Sequence, residues 1–410
     1  GQIDGYGLVL TDHRTAAVFA RDDGTSVKLE GGCILRTEPR QADGAYGRGA
    51  VVESGASLEL VQMRLSGHRG VSVSAASLPG GAAGTVSQLV LQDVVIDGTL
   101  PGASGGDLTA RGVEAHDSKV EVRGLRVHDA AGAAVALYGN GGVGTTTILR
   151  DVHLTHAGGA TSAVGLVADD AGTVVLRRLR TAGPFAVHLE IRGKTQLYGG
   201  HVGLQQTAPA ATGLGLLCAQ QATCKLAVSQ LAGAFQAAVL GLDVGTTVKL
   251  SGSAVGRDGD SQVAKYGAVV LDGAALEAAA SAWHGAAVAA VASDAGGVSL
   301  VGSVLYQLAT ATQPADGLRL TSGASGHFTA GQIAGFGRCG ALTVDSSSLA
   351  LTQSVVADNR FGIGQMLDGA YTVLAGWLDG NQNQLAAGTF VLPSLPAKPK
   401  ATERAPAFTL

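Results

Sequence analysis

The sequence keeps returning to one local pattern. A short apolar strand runs into an Asp- or Gly-containing corner, and a new strand of the form small-small-Val-x-Leu begins. The corner residue falls at Asp170, Arg192, Gln221, Asp243, Asp272, Asp294, Ser322, Ser346 and Asp368. The intervals alternate roughly 22 and 29 residues before settling near 22 to 24. A chain that revisits the same pattern this often stacks coils on one another and does not build an ordinary globular core. Aligned on the corners, it divides into about fourteen coils. Each opens with a strand such as Thr247-Val-Lys-Leu250, bends, and carries a second apolar pair such as Val152 and Leu154. It closes with a third strand such as Gly317-Leu-Arg-Leu320. Such short alternating runs have strand periodicity, and no crossover helix is predicted between them.

Composition agrees with buried strands. Only 15% of residues are charged, the net charge is -4, and 62 glycines are available for tight corners. This balance gives no electrostatic reason to expect nucleic acid or an anionic membrane as partner. No apolar run approaches the length of a membrane span. The chain opens at Gly1 without Met, as expected of a processed product.

Variable coil length separates this chain from left-handed β-helices, with their near-strict hexapeptide rhythm, and from leucine-rich repeats with a fixed Leu and Asn frame. With coils of 22 residues and insertions at one corner, the sequence resembles the right-handed parallel β-helix repeat proteins, the broad pectate-lyase-like class, from about residue 24 to 378. The resemblance implies an all-β fold: a single right-handed parallel β-helix with three short strands per coil. It implies no one activity, because that class includes lyases, hydrolases, tailspikes and adhesins. The helix is assigned to residues 1–391 and a Pro/Ala/Lys-rich tail to 392–410, where the prolines end the stack. No cap helix is predicted at the N-terminus, so an uncapped coil end, or the tail, offers a route to self-assembly.

The coil alignment places a basic ladder on one face. The outward position after the first strand reads Gln92, Arg123, Arg150, Arg177, Tyr198 in successive coils. Three residues on it reads Arg64, Val95, Arg126, His153, Arg180, His201. Like charges in register on neighbouring strands destabilise one another. The column therefore requires neighbouring carboxylates such as Asp93 and Asp151, or an anionic partner: a glycan or another protein's acidic surface. In alternate coils the extra residues fall between the second and third strands, at 157–163, 205–212, 256–265 and 309–316, projecting loops from one edge.

Other features carry less. Asp258 and Asp260 in Gly256-Arg-Asp-Gly-Asp-Ser261 resemble the start of a calcium loop, but the acidic twelfth ligand is missing, and an ordinary polar loop tip fits better. Calcium is the one cofactor these residues suggest. The corner aspartates read as turn chemistry, each bonding backbone two residues on. No catalytic residue is assigned: Gly67-His-Arg-Gly70 precedes Asp169-Asp170, Glu190-Ile-Arg-Gly-Lys194 is a loose echo, and Asn-Thr-Asp is absent. Aromatics are only 4% of residues, few for a sugar-stacking groove. Cys218 and Cys224 flank one corner and fit either a disulfide or two small buried thiols; a bridge would favour an extracytoplasmic location. The expected role is that of a secreted or cell-surface protein with a non-catalytic structural, adhesive or assembly function. The alternatives are a carbohydrate-active enzyme (polysaccharide lyase or glycoside hydrolase), a glycan-binding module working along one face, or a filament subunit.

Overall fold

The computed structural model describes residues 1–39, 47–77, 86–101, 110–139, 145–158, 163–208, 213–256, 264–307, 315–367 and 370–373. They form a parallel β-solenoid, with no helix among the described residues. A 23-stranded sheet holds the first and second strands of the coils, and a 15-stranded sheet holds the third. Pairing is parallel except for the last pair, Phe361–Leu367 with Ala370–Val373. The expected count of about fourteen coils is roughly right, and the expected class of fold stands. The tail from residue 392 lies outside the described residues.

The core is a set of columns. Leu91, Val122, Leu149 and Leu176 stand in register on successive first strands, each at most 1% exposed. Strands about 4.8 Å apart bring these side chains into direct contact. In the first coil, Gln2–Thr11 pairs with Ser26–Leu35, and Ile3, Tyr6 and Val9 are exposed.

Between first and second strands a single residue bends each coil, and it is left-handed. Asp93, Asp151, Arg178, His201, Val228 and Ala280 all have φ between 46° and 55–57°. Glycine takes the same place at 124, 252 and 302. The amide of the bend residue donates to the carbonyl of the next coil: Asp93 to Arg123 at 2.8 Å, Gly124 to Arg150 at 3.0 Å, Val228 to Ser251 at 2.9 Å. A β-branched residue is strained in this conformation. Val228 is 59% exposed, so its side chain has little packing to lose.

The inward residue after the bend changes character along the rod. Val94, Leu125, Val152, Leu179 and Val202 give way to Ser229, Ser253, Ser281 and Ser303, all buried. Each serine hydroxyl donates to the carbonyl two residues back, at 3.0 to 3.2 Å. Each also accepts from the amide of the preceding coil: Ser229 N to Ser253 Oγ, and Ser253 N to Ser281 Oγ, both at 3.3 Å. This buried ladder supplies partners that an aliphatic side chain could not.

Two histidines are wholly buried. His188 lies edge-on to Phe185 and Phe235, with ring centroids 5.1 and 5.4 Å away. Its Nε2–H donates to Gln206 Oε1 at 2.6 Å, which leaves Nδ1 to accept from the Thr181 hydroxyl at 2.6 Å. Burial pushes both His68 and His188 down from 6.5 to about 4. The unfolded chain takes up these protons near pH 6.5 and the folded one does not. Their contribution is therefore complete above that pH and is lost as the pH falls toward 4, on the order of 3 kcal/mol each.

Three outcomes follow for unfolding measurements. Ser253→Ala leaves the buried Ser229 amide without its Ser253 partner and should cost about 1–3 kcal/mol; an unchanged urea midpoint would remove the serine ladder from the account. Val228→Gly should raise stability by about 1 kcal/mol by relieving the left-handed strain. The thermal midpoint should drop as the pH is lowered from 6.5 to 4, and a flat profile would contradict the burial of neutral histidines.

Candidate functional site

The structure brings most of the basic ladder together. Arg123, Arg150 and Arg177 occupy one register position on consecutive first strands. Arg126, His153 and Arg180 do the same on the second strands. Tyr198 and His201 do not continue these rows. Tyr198 pairs with Val175 and Lys225, while Gly200 stands opposite Arg177 and Gly203 opposite Arg180. The displacement has a local cause. Gly199 takes the inward position held by Leu176 and Leu226 in the flanking coils, so the last apolar side chain of its strand, Leu197, comes two residues early. His201 is the bend residue of that coil, with φ 55°.

Charge compensation of the ladder is incomplete. Asp151 is taken by Arg178, whose Nη2 donates to Oδ2 at 2.6 Å. The Arg178 hydrogen bond holds the Asp151 carboxyl below its usual range against weak desolvation. Arg64, earlier in the second row, pairs with Asp97 at 3.0 Å. Arg123, Arg126, Arg150, Arg177 and Arg180 make no ion pair among the described residues, and Arg150 Nε is buried without a hydrogen-bond partner. Burial, then the charges of Arg180 and Arg126, push His153 down.

Beyond Arg177 the same outward column becomes small: Gly200, Ala227, Ser251, Ala279. The adjacent column stays tall, with Tyr198, Lys225, Lys249 and Glu277. The difference in height leaves a trough of about 820 Å³. Lys225 Nζ lies 5.0 Å from the centre of the Tyr198 ring, and Lys249 binds Glu277 at 2.6 Å.

A second polar cluster, on the outward side of the third sheet, has no counterpart in the sequence reading. Most of that side is apolar and buried, as at Leu217, Leu240, Val269 and Ala292. Toward the N-terminus it turns ionic. Arg111 donates to Glu114 at 2.8 Å and His116 Nε2 to the same oxygen at 2.6 Å. The His116 ring stacks on Tyr138 at 4.9 Å, and His116, Tyr138, Asp169 and Arg192 follow one another in register. Burial opposes ionisation of Glu114, but the His116 hydrogen bond and the Arg111 charge outweigh it and hold the carboxyl at about 2. Burial, chiefly, pushes Tyr138 up to about 12. Glu53 is 2% exposed, its Oε2 lacks a hydrogen-bond partner, and desolvation raises its pKa against the pull of Arg48 and Arg21. Glu53 shares a register position with His116, with Ala76 between them. The signal in the sequence is the charge at 114 and 116 of Arg111-Gly-Val-Glu-Ala-His116 and at 190 and 192 of Val187-His-Leu-Glu-Ile-Arg192, where the third strands at 214–218 and 237–242 carry Leu or Ala; Asp316 and Arg319 bring charge back to this side further along.

The remaining candidates resolve as follows. Cys218 and Cys224 are bonded across their corner, with Cα atoms 6.4 Å apart. Cys33 is half-buried and Cys339 buried, both as thiols. Asp258 and Asp260 lie outside the described residues, and among those described no three potential ligands group around a metal position. The corner aspartates tie coils together and do not only close their own turns: Asp170 Oδ1 accepts from Lys194 N at 2.9 Å, and Asp243 Oδ2 from Gln220 N at 3.3 Å. No helix among the described residues is long and apolar enough to cross a membrane.

No protein-family model and no curated protein match this sequence. Among solved structures, it is similar to a mutant of the periplasmic alginate epimerase AlgG at 10% identity and a TM-score of 0.42, over 77% of this chain and 76% of that one. It is similar to a chain of the Vag8–C1 inhibitor complex at 13% identity and 0.37, over 89% and 100%. It is also similar to a polygalacturonase from Erwinia carotovora at 10% identity and 0.32, over 82% and 88%. Likeness this distant assigns no activity.

The uncompensated ladder should leave a trace in stability. Arg150→Gln removes the central like charge and should raise the unfolding midpoint at low salt, by about 0.2–1 kcal/mol. The gain should shrink as salt screens the column. A loss of stability at every salt concentration would show that the guanidinium is compensated.

Proposed function

We propose that this protein is an extracytoplasmic, non-catalytic adhesion rod that binds an acidic glycan along the Arg123/Arg150/Arg177 column. The observation that carries this reading is three in-register arginines, flanked by Arg126 and Arg180, with no ion pair among the described residues. Stacked cations of this kind are held at a cost that an anionic polymer, presenting charges at regular spacing, would offset. Guanidinium groups suit it because their fixed fork recognises carboxylate and sulfate oxygens in pairs. The Cys218–Cys224 bond supports an oxidising compartment. A glycan array compares the wild type with a variant carrying Arg123→Ala, Arg150→Ala and Arg177→Ala together. The variant should lose binding to acidic glycans with a thermal midpoint no lower than that of the wild type; equal binding by the two proteins would end this reading.

A second reading rests on the third-sheet cluster. Glu53, whose carboxyl is shifted up by burial against the pull of Arg48 3.7 Å away, and His116, hydrogen-bonded to Glu114, flank Ala76 on the same face. Two strand steps separate them by about 9.6 Å of backbone. A carboxyl and an imidazole on either side of Ala76 suit proton transfer to and from a single substrate, as glycoside cleavage requires. Incubation with polysaccharides that the protein binds should then release new reducing ends, and both Glu53→Gln and His116→Ala should abolish the release. Release that persists in both variants would remove this cluster from the chemistry.

A further inference from the structure

We propose that the trough beyond Arg177 is a sugar-ring subsite, in which an acidic glycan bound along the arginine column lays the C–H face of one residue on the small-residue floor. The inference rests on the glycan-binding reading and adds to it a place, a ring orientation and a length of bound chain. Gly200, Ala227, Ser251 and Ala279 occupy the same register column as Arg123, Arg150 and Arg177. A polymer following the arginines therefore runs directly onto this floor without changing direction. Between Arg123 and Ser251 lie five strand steps, about 24 Å of track.

Gly200 opens the trough beside Arg177, and Gly199 faces the core beneath it. Gly199 sits inward, where a Cβ would come within 2.5 Å of Leu226 Cδ2. Gly200 points outward, where an added Cβ would meet nothing within 4 Å. The floor is thus open because of sequence choice, not because neighbouring atoms forbid a side chain. Tyr198, 37% exposed, forms the wall on one side, with Lys225 over its ring. Lys249 is partnered by Glu277, whereas Lys225 makes no ion pair among the described residues. A weakly polar floor under a cationic rim matches a pyranose ring: its axial C–H groups are apolar and its equatorial carboxylate or sulfate projects outward. Neither a neutral glycan nor a simple inorganic anion would use both halves of that surface.

Gly200→Phe tests the subsite without touching any charge. Its backbone is not left-handed and its Cβ has free space, so the strand accepts the side chain while the ring fills the trough. Binding of oligogalacturonates and of heparin-derived oligosaccharides is measured by calorimetry, with a neutral glucan as control and the thermal midpoint as a check on folding. Gly200→Phe and Lys225→Ala should each weaken at least one acidic class by roughly tenfold, with the midpoint unchanged. A loss confined to the heparin class points to sulfate recognition, and a loss in both classes points to the carboxylate they share. If the triple arginine variant loses binding but Gly200→Phe retains it in full, the subsite is wrong and the arginine reading survives. If no variant alters binding, both fall.

Discussion

The hydrogen bond that carries one coil onto the next at the left-handed bend sets everything else in this molecule. Each bend residue turns the chain by leaving the β region for one residue only, and its amide reaches the carbonyl one coil ahead. Because that bond links equivalent positions, second strands begin in register whatever the length of the loop that follows. Variable insertions can then be accommodated elsewhere in the coil. A bond repeated at each coil also makes the rod nearly one-dimensional, with stability built from neighbouring pairs.

Fixed register turns sequence into columns, and each column has its own physical problem. Inside, the apolar columns close-pack, and where the side chain beside the bend becomes serine, the hydroxyls satisfy one another's backbone. Outside, the first-sheet column concentrates like charge at Arg123, Arg150 and Arg177 and then drops to a glycine and alanine floor. On the third sheet, opposite charges are brought together under cover, so Arg111 and Glu114 neutralise one another in place, with His116 hydrogen-bonded to the same carboxylate. The exposed column is left with charge to spare, and the covered one is not. That contrast is why ligand binding is assigned to the first and only a secondary, catalytic reading to the other.

Much of this is legible in the sequence, because solenoid periodicity is local. The corners, the three strands per coil and the alignment of Arg150 with Arg177 all follow from counting residues, whereas Cys218 and Cys224 fit a bond or two thiols until the corner between them is seen. The count failed at Tyr198, where Gly199 stands inward and ends the apolar signal early. It gave no warning of the left-handed bend, since residues as different as Asp151, Arg178 and Val228 fill it and only its conformation is shared. The third-sheet cluster was missed for another reason. Glu190 reads only as a loose echo of a catalytic order and Glu114 carries no motif, while the meaning of both lies in partners two residues away on the same strand. The aspartates at 258 and 260 stay an expectation from sequence.

The most direct test of the account is the register itself, read by engineered cross-links. Cα atoms of residues paired across adjacent strands lie within the separation a disulfide accepts, and residues offset by two positions do not. Arg177→Cys with Gly200→Cys should therefore oxidise to a disulfide in the folded protein, whereas Arg177→Cys with Tyr198→Cys should stay reduced. Cross-linking of the Tyr198 pair in place of the Gly200 pair would contradict the columns on which the binding face and its trough are built.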